Sequence, residues 1–97
     1  MMNVIFERIK KDKTVFTNFC SDVSTIHVWP EENTIVLFFD DDSFVRGEFD
    51  LMHFDIIRDK LEKAIADNEE WIDLRTNGGF FNEKKDYDYN SGFSEGF

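Results

Sequence analysis

The 97-residue chain has one cysteine, one proline and two histidines, and no apolar stretch near the roughly 18 residues that a membrane-spanning helix needs. Cys20, being alone, excludes a disulfide framework and a cysteine-based zinc or iron–sulfur site, and it fits a reducing compartment. In the apolar segment around Phe16 and Phe19 this thiol reads as a small buried hydrophobe. The opening MMNVIFERIKKDK lacks the apolar core of a signal peptide. Alanine is scarce while Asn, Lys, Ile and Phe are common, which fits an AT-rich genome. The expectation is a soluble protein of the cytoplasm of a bacterial host cell.

Signatures of catalysis are missing as well. There is no glycine-rich phosphate loop, GxSxG elbow, HExxH helix or Cys/His nucleophile pattern. His27 sits in a strand segment next to Trp29, without a carboxylate at a spacing that would orient it as a base, and His53 falls in a first helical turn. Two histidines and one cysteine make a poor transition-metal site. The chain is therefore expected to be no enzyme, with no catalytic residue, no metal and no cofactor.

What is abundant is negative charge: 21 acids against 11 bases give a net charge of −10. Such a field repels phosphate and anionic lipid surfaces and favours a basic partner, since long-range repulsion slows encounter unless a local basic patch reverses it. Residues 1–49, which contain the cluster Lys10, Lys11 and Lys13, hold nine acids and five bases, so even this half is net negative.

Apolar alternation predicts strands at 3–9, 14–20, 24–29, 34–39 and 43–49. Their connections are short polar turns, KKDK at 10–13 and PEEN at 30–33, the latter with Pro30 pre-set for a turn and Asn33 able to take a left-handed conformation. Both faces of the fourth strand are apolar, with Ile35, Leu37 and Phe39 on one and Val36 and Phe38 on the other, so it needs cover on its second face. At Asp50 the period changes. Asp50 is an N-cap, Phe49 and Phe54 form a hydrophobic staple, and Phe54, Ile57, Leu61 and Ile65 follow at helical spacing, predicting a helix over 51–67 stopped at Asn68. Residues 70–76 offer a sixth strand. The predicted fold is α+β: an antiparallel five- or six-stranded meander with one helix packed on it. Residues 1–77 form a single domain, and 78–97 form a flexible, glycine-rich tail of aromatic and acidic residues.

Three candidate sites stand out. Asp40, Asp41 and Asp42 lie where the fourth strand reverses into the fifth, a turn by their chemistry. An EF-hand starting at Asp40 fails, because Phe44, Val45 and Leu51 occupy the positions of an oxygen ligand, the obligatory glycine and the closing glutamate. On the helix, Asp55, Asp59 and Glu62 form a stripe beside the apolar face, with Lys63 placed to relieve Asp59 and Arg58 to relieve Glu62. In the tail, Phe80, Phe81, Tyr87, Tyr89, Phe93 and Phe97 are candidate anchors for a partner's pocket.

In size, charge and want of catalytic residues the chain is similar, at the level of class, to phage-encoded inhibitors such as DNA mimics and anti-CRISPR proteins. That implies a function of binding a basic, nucleic-acid-binding protein, with Asp40, Asp41, Asp42, Asp55, Asp59 and Glu62 standing in for phosphates. A rival reading comes from architecture: a meander followed by a helix over residues 3–68 resembles single-strand-binding domains of the coactivator and whirly type. That resemblance implies base stacking on Trp29, Phe38, Phe44 and Tyr87 and backbone tracking by Lys10, Lys11 and Lys13. A third reading is a structural or assembly subunit that oligomerises through the fourth strand and the tail.

Overall fold

Residues 2–82, which the computed structural model describes, run in the order β1 (Met2–Ile9), β2 (Val15–Trp29), a short 3-10 turn (Pro30–Glu32), β3 (Thr34–Phe39), β4 (Phe44–Glu48), α1 (Leu51–Ala66), β5 (Trp71–Asp73) and β6 (Phe81–Asn82). The strands make one six-stranded sheet in the order β4-β3-β2-β1-β5, with β6 also paired to β1. The four N-terminal strands form the expected antiparallel meander. The sheet as a whole is mixed, because β5 and β6 both run parallel to β1. The reason is the helix. Three hairpin reversals leave β4 running opposite to β1; α1 then carries the chain from the β4 edge across to the far side of β1, where β5 enters in the direction opposite to β4 and so parallel to β1. Among the described residues no helix is long and apolar enough to cross a membrane.

The segments predicted at 14–20 and 24–29 are one 15-residue strand. Its first half, Val15–Cys20, pairs with β1, and its second half, Thr25–Trp29, pairs with β3, with register shifts between Met2 and Val4 and between Val23 and Thr25. Ser21 and Asp22 read as a break in the sequence because they are turn formers. In the fold they mark a bend at which β2 changes partner.

The core lies between the curved sheet and α1. Val4 and Phe6 of β1, Ile35 and Leu37 of β3, Val45 of β4 and Ile72, Leu74 and Phe81 meet Phe54, Ile57, Leu61 and Ala64 of the helix. The second apolar face of β3 is covered by its own sheet. Val36 stands in register with His27 and Arg46, flanked by Trp29 and Phe38, and these larger side chains leave it 2% exposed.

The helix begins as expected: Asp50 Oδ1 accepts a hydrogen bond from the His53 backbone N–H at 2.8 Å, and Phe49 and Phe54 are both buried. Asn68 takes the left-handed conformation (φ 57°) that ends it. One assignment shifts. Ile65, expected in the core, is 62% exposed, and Ala64 takes the buried position instead.

The ordered unit continues past the expected boundary at Asn77. Phe81 is fully buried, with its ring 5.4 Å from Phe6 and 5.2 Å from Phe49, both edge-on. Gly47 of β4 makes room for this cluster, since a Cβ there would lie 2.6 Å from Phe49 Cε2 and 3.0 Å from Phe81 Cδ2. Glycine and serine around Phe81 made the segment read as tail. The apolar payload of one buried phenylalanine is enough to hold a two-residue strand against β1.

Candidate functional site

The aspartate run is first of all a turn, built like the β1–β2 turn. In the β3–β4 connection Phe39 N–H donates to Ser43 O, Asp42 N–H donates to Phe39 O, Ser43 N–H donates to Asp41 Oδ1, and Asp42 is left-handed (φ 71°). In the β1–β2 connection Lys10 N–H donates to Thr14 O, Lys13 N–H donates to Lys10 O, Thr14 N–H donates to Asp12 Oδ1, and Lys13 is left-handed (φ 75°). An aspartate at the third position bonds the backbone two residues on, and a hydroxyl residue closes both turns. The two turns share one geometry and carry opposite charge: Lys10, Lys11 and Lys13 on one, Asp40, Asp41 and Asp42 on the other. Hydrogen bonds to Thr14 hold the Asp12 carboxyl below its usual range.

The acidic turn is fixed to the bend of β2, because Asp40 N–H donates to Asp22 O at 3.0 Å. Val23, next in the chain, is in register with Phe39 on one side and Met2 on the other, and Asn3 in turn donates from its side chain to Glu70 O at 3.1 Å. The register thus gathers Asp22, Asp40, Asp41 and Asp42 at the same end of the domain as Asp67, Glu69 and Glu70, which follow the helix. Sequence reasoning missed Asp22, Asp67, Glu69 and Glu70. Nothing local marks them, since only strand pairing brings them beside the turn. Among the described residues no three His, Cys, Asp or Glu side chains converge as metal ligands.

The helix stripe stands elsewhere than expected. With Phe54, Ile57, Leu61 and Ala64 buried, successive steps of about 100° per residue put Asp59 opposite the core, with Asp55 and Glu62 toward one flank of it. Asp59 and Glu62 are exposed and Asp55 is half-buried. Arg58 reaches Asp55 at 3.3 Å and not Glu62, and Lys63 makes no ion pair with Asp59. Asp59 and Glu62 are therefore without a cation among the described residues. Lys60 and Lys63 line a groove with Trp71 and Asp73 on the β5 side of the helix.

The outer face of β2, β3 and β4 is aromatic. Trp29, Phe38 and Phe44 lie on it together with His27 and Arg46, as the two-residue period of the strands requires. Phe38 is 5.0 Å from His27 and 5.7 Å from Phe44, and the Arg46 guanidinium stands 5.7 Å over the Trp29 ring. Lys10, Lys11 and Lys13 belong to the β1–β2 turn and are not on this face.

His53 is held at both ring nitrogens, by Asp50 Oδ1 at 2.8 Å and by the Asn77 carbonyl at 3.1 Å. Both partners accept, so the arrangement suits the imidazolium. The hydrogen bond to Asp50, and next the one to Asn77, push the His53 pKa above its usual value. Burial, and then Asp22, push the Cys20 thiol up, which keeps it protonated and slow to react at neutral pH.

Of the expected tail anchors, Phe80 is half-buried in a shallow groove with Ile9, Glu48, His53 and Gly78, and Phe81 is inside the core. Tyr87, Tyr89, Phe93 and Phe97 lie outside the described residues. No family model, no curated protein and no solved structure matches this chain.

Proposed function

We propose that the protein is a non-enzymatic binding module whose acidic surface engages a basic, nucleic-acid-binding protein and blocks it by standing in for phosphates. The observation that carries this reading is the helix stripe, where Asp59 and Glu62 are presented to solvent without a cation among the described residues. Like charges at helical spacing cost a few tenths of a kcal/mol, so folding gains nothing from them, whereas a partner with a basic groove would. The acids at the end of the sheet, Asp40, Asp41 and Asp42, extend the same field. By analogy of class to phage-encoded inhibitors, such a protein would act in the cytoplasm of a bacterial host cell.

The test uses the full chain as bait in a host lysate, beside an Asp59→Lys/Glu62→Lys variant. The reading expects a protein that is retained by the original chain, released by competing duplex DNA, and lost with the variant. Retention that survives both the competitor and the charge reversal would sink it.

A second reading is favoured by the aromatic face: Trp29, Phe38 and Phe44 share one side of the sheet with Arg46, as a platform for stacking single-stranded bases would require. Titrating a labelled single-stranded oligonucleotide at low salt and following anisotropy separates the two. A saturable rise that fades with salt supports base stacking, and a flat trace leaves the acidic surface as the active one.

A further inference from the structure

The first half of β2 has an open edge. Val15–Cys20 pairs with β1 on one side, while β3 joins β2 only from Val23 onward, so among the described residues no strand lies beside residues 15–20 on the β3 side. Proteins ordinarily blunt such an edge with lysine, other charges, proline or a covering element. Among the described residues none of these is used here. Residues 14–21, TVFTNFCS, contain no charged residue and no proline in a chain that is 33% charged, and Val15 and Phe19 are 40% and 65% exposed. Phe19 and Trp71, whose rings are 6.3 Å apart, extend the apolar surface onto the outer face of the sheet.

The two ends of this edge carry opposite charge. The basic turn, Lys10 to Lys13, stands at its start, and Asp22 with the acidic turn stands at its end, fixed there by the Asp40–Asp22 backbone hydrogen bond. We infer that a second copy of this chain fills the open position, its β2 antiparallel to the first across a two-fold axis beside Asn18, so that each residue stands opposite one on the same face of the sheet. In that register Asn18 faces its own counterpart, Phe16 of each copy faces Cys20 of the other, and Thr14 of each faces Asp22 of the other, which brings Lys13, next in the chain, beside that aspartate. The basic turn of one copy then meets the acidic turn of its mate, twice, as a two-fold interface demands. A charge of −10 on each chain works against self-association at long range, and the complementary turns offset it where the copies touch. Strand addition of this kind draws its affinity from backbone hydrogen bonds and its register from the flanking side chains. α1 packs against β5, on the side of β1 away from β2, so Asp59 and Glu62, which carry the proposed partner reading, stay outward in the pair, while Asp40, Asp41 and Asp42 are taken up at the seam and drop out of the field offered to that partner.

The test is a charge swap read by light-scattering mass from micromolar to millimolar concentration. One variant carries Lys11→Glu and Lys13→Glu, the other Asp22→Lys and Asp40→Lys. All four side chains are exposed, and the backbone bonds of both turns are retained, with far-UV circular dichroism as the check on folding. The original chain is expected at twice its 11.5 kDa mass, each variant alone at the mass of one chain, and an equal mixture of the two again at twice that mass. A monomeric original chain, a dimer that survives either swap, or a mixture that stays monomeric would each overturn the inference. Hydrogen exchange gives a second readout that needs no variant: the amides of residues 15–20 should gain protection as concentration rises, and protection independent of concentration overturns the pairing.

Discussion

Arg58 pairs with Asp55 across 3.3 Å and leaves Glu62, its other helical neighbour, without a cation among the described residues. The choice matters because α1 has charge of both signs within reach, yet keeps Asp59 and Glu62 unpaired on its outward side. A helix selected for stability alone would use the cations it has.

That arrangement predicts that Asp59→Lys leaves the domain slightly more stable, by about 0.3 kcal/mol at low salt, since the new lysine faces Asp55 one turn back and Glu62 one turn on. Urea unfolding at low and high salt checks this, and the gain should fade as salt rises. A loss of more than about 1 kcal/mol would show that Asp59 supports the fold, which an exposed residue without partners should not do.

His53 makes stability depend on pH in a defined direction. Its folded pKa is raised above 6.5, so its contribution is complete below that pH and is lost as pH climbs through the raised value. Asp50 is shifted the other way. Its folded pKa lies below 3.8, held down first by the His53 backbone N–H and next by the ring, so its contribution is complete above that pH and is lost as pH falls through the lowered value. The pair is therefore strongest between these limits. Urea midpoints measured from pH 5 to pH 8 should fall for the original chain relative to His53→Gln, and parallel curves would show that the imidazolium does not stabilise the fold.

Gly47→Ala should destabilise the domain by about 2 kcal/mol, the range of an overpacked core. The added methyl would stand against the rings of Phe49 and Phe81, and both belong to the aromatic cluster around Phe6. A shift in thermal midpoint of less than a degree or two would mean that the cluster gives way freely.

Phe81→Ala should cost about 3–5 kcal/mol, the loss typical of emptying a buried aromatic site. Phe80→Ala, at the half-buried neighbouring position, should cost much less. The contrast, read by chemical unfolding, tests whether the chain beyond Asn77 belongs to the domain. Equal and small losses would return that segment to the status of a tail.

The sequence by itself determined the local elements. Two-residue alternation placed the strands, the Asp50 cap and the Phe49–Phe54 staple placed the helix start, and Asn33 and Asn68 took the left-handed conformations expected of them. These signals are short-range, each decided by backbone sterics or by a hydrogen bond to a residue a few positions away. The tertiary structure alone decided what depends on pairing between distant segments: the parallel entry of β5 and β6, the bend that joins two apparent strands into β2, the exchange of Ile65 for Ala64 in the core, and the burial of Phe81. It also decided which charges share a place. Asp22 meets the acidic turn because β3 leaves β2 at Val23, and the exchange of Ile65 for Ala64 turns the helix by about 25°, which brings Asp59 fully opposite the core. Those outcomes follow from packing volume and ladder register, and neither is written in any stretch of neighbouring residues.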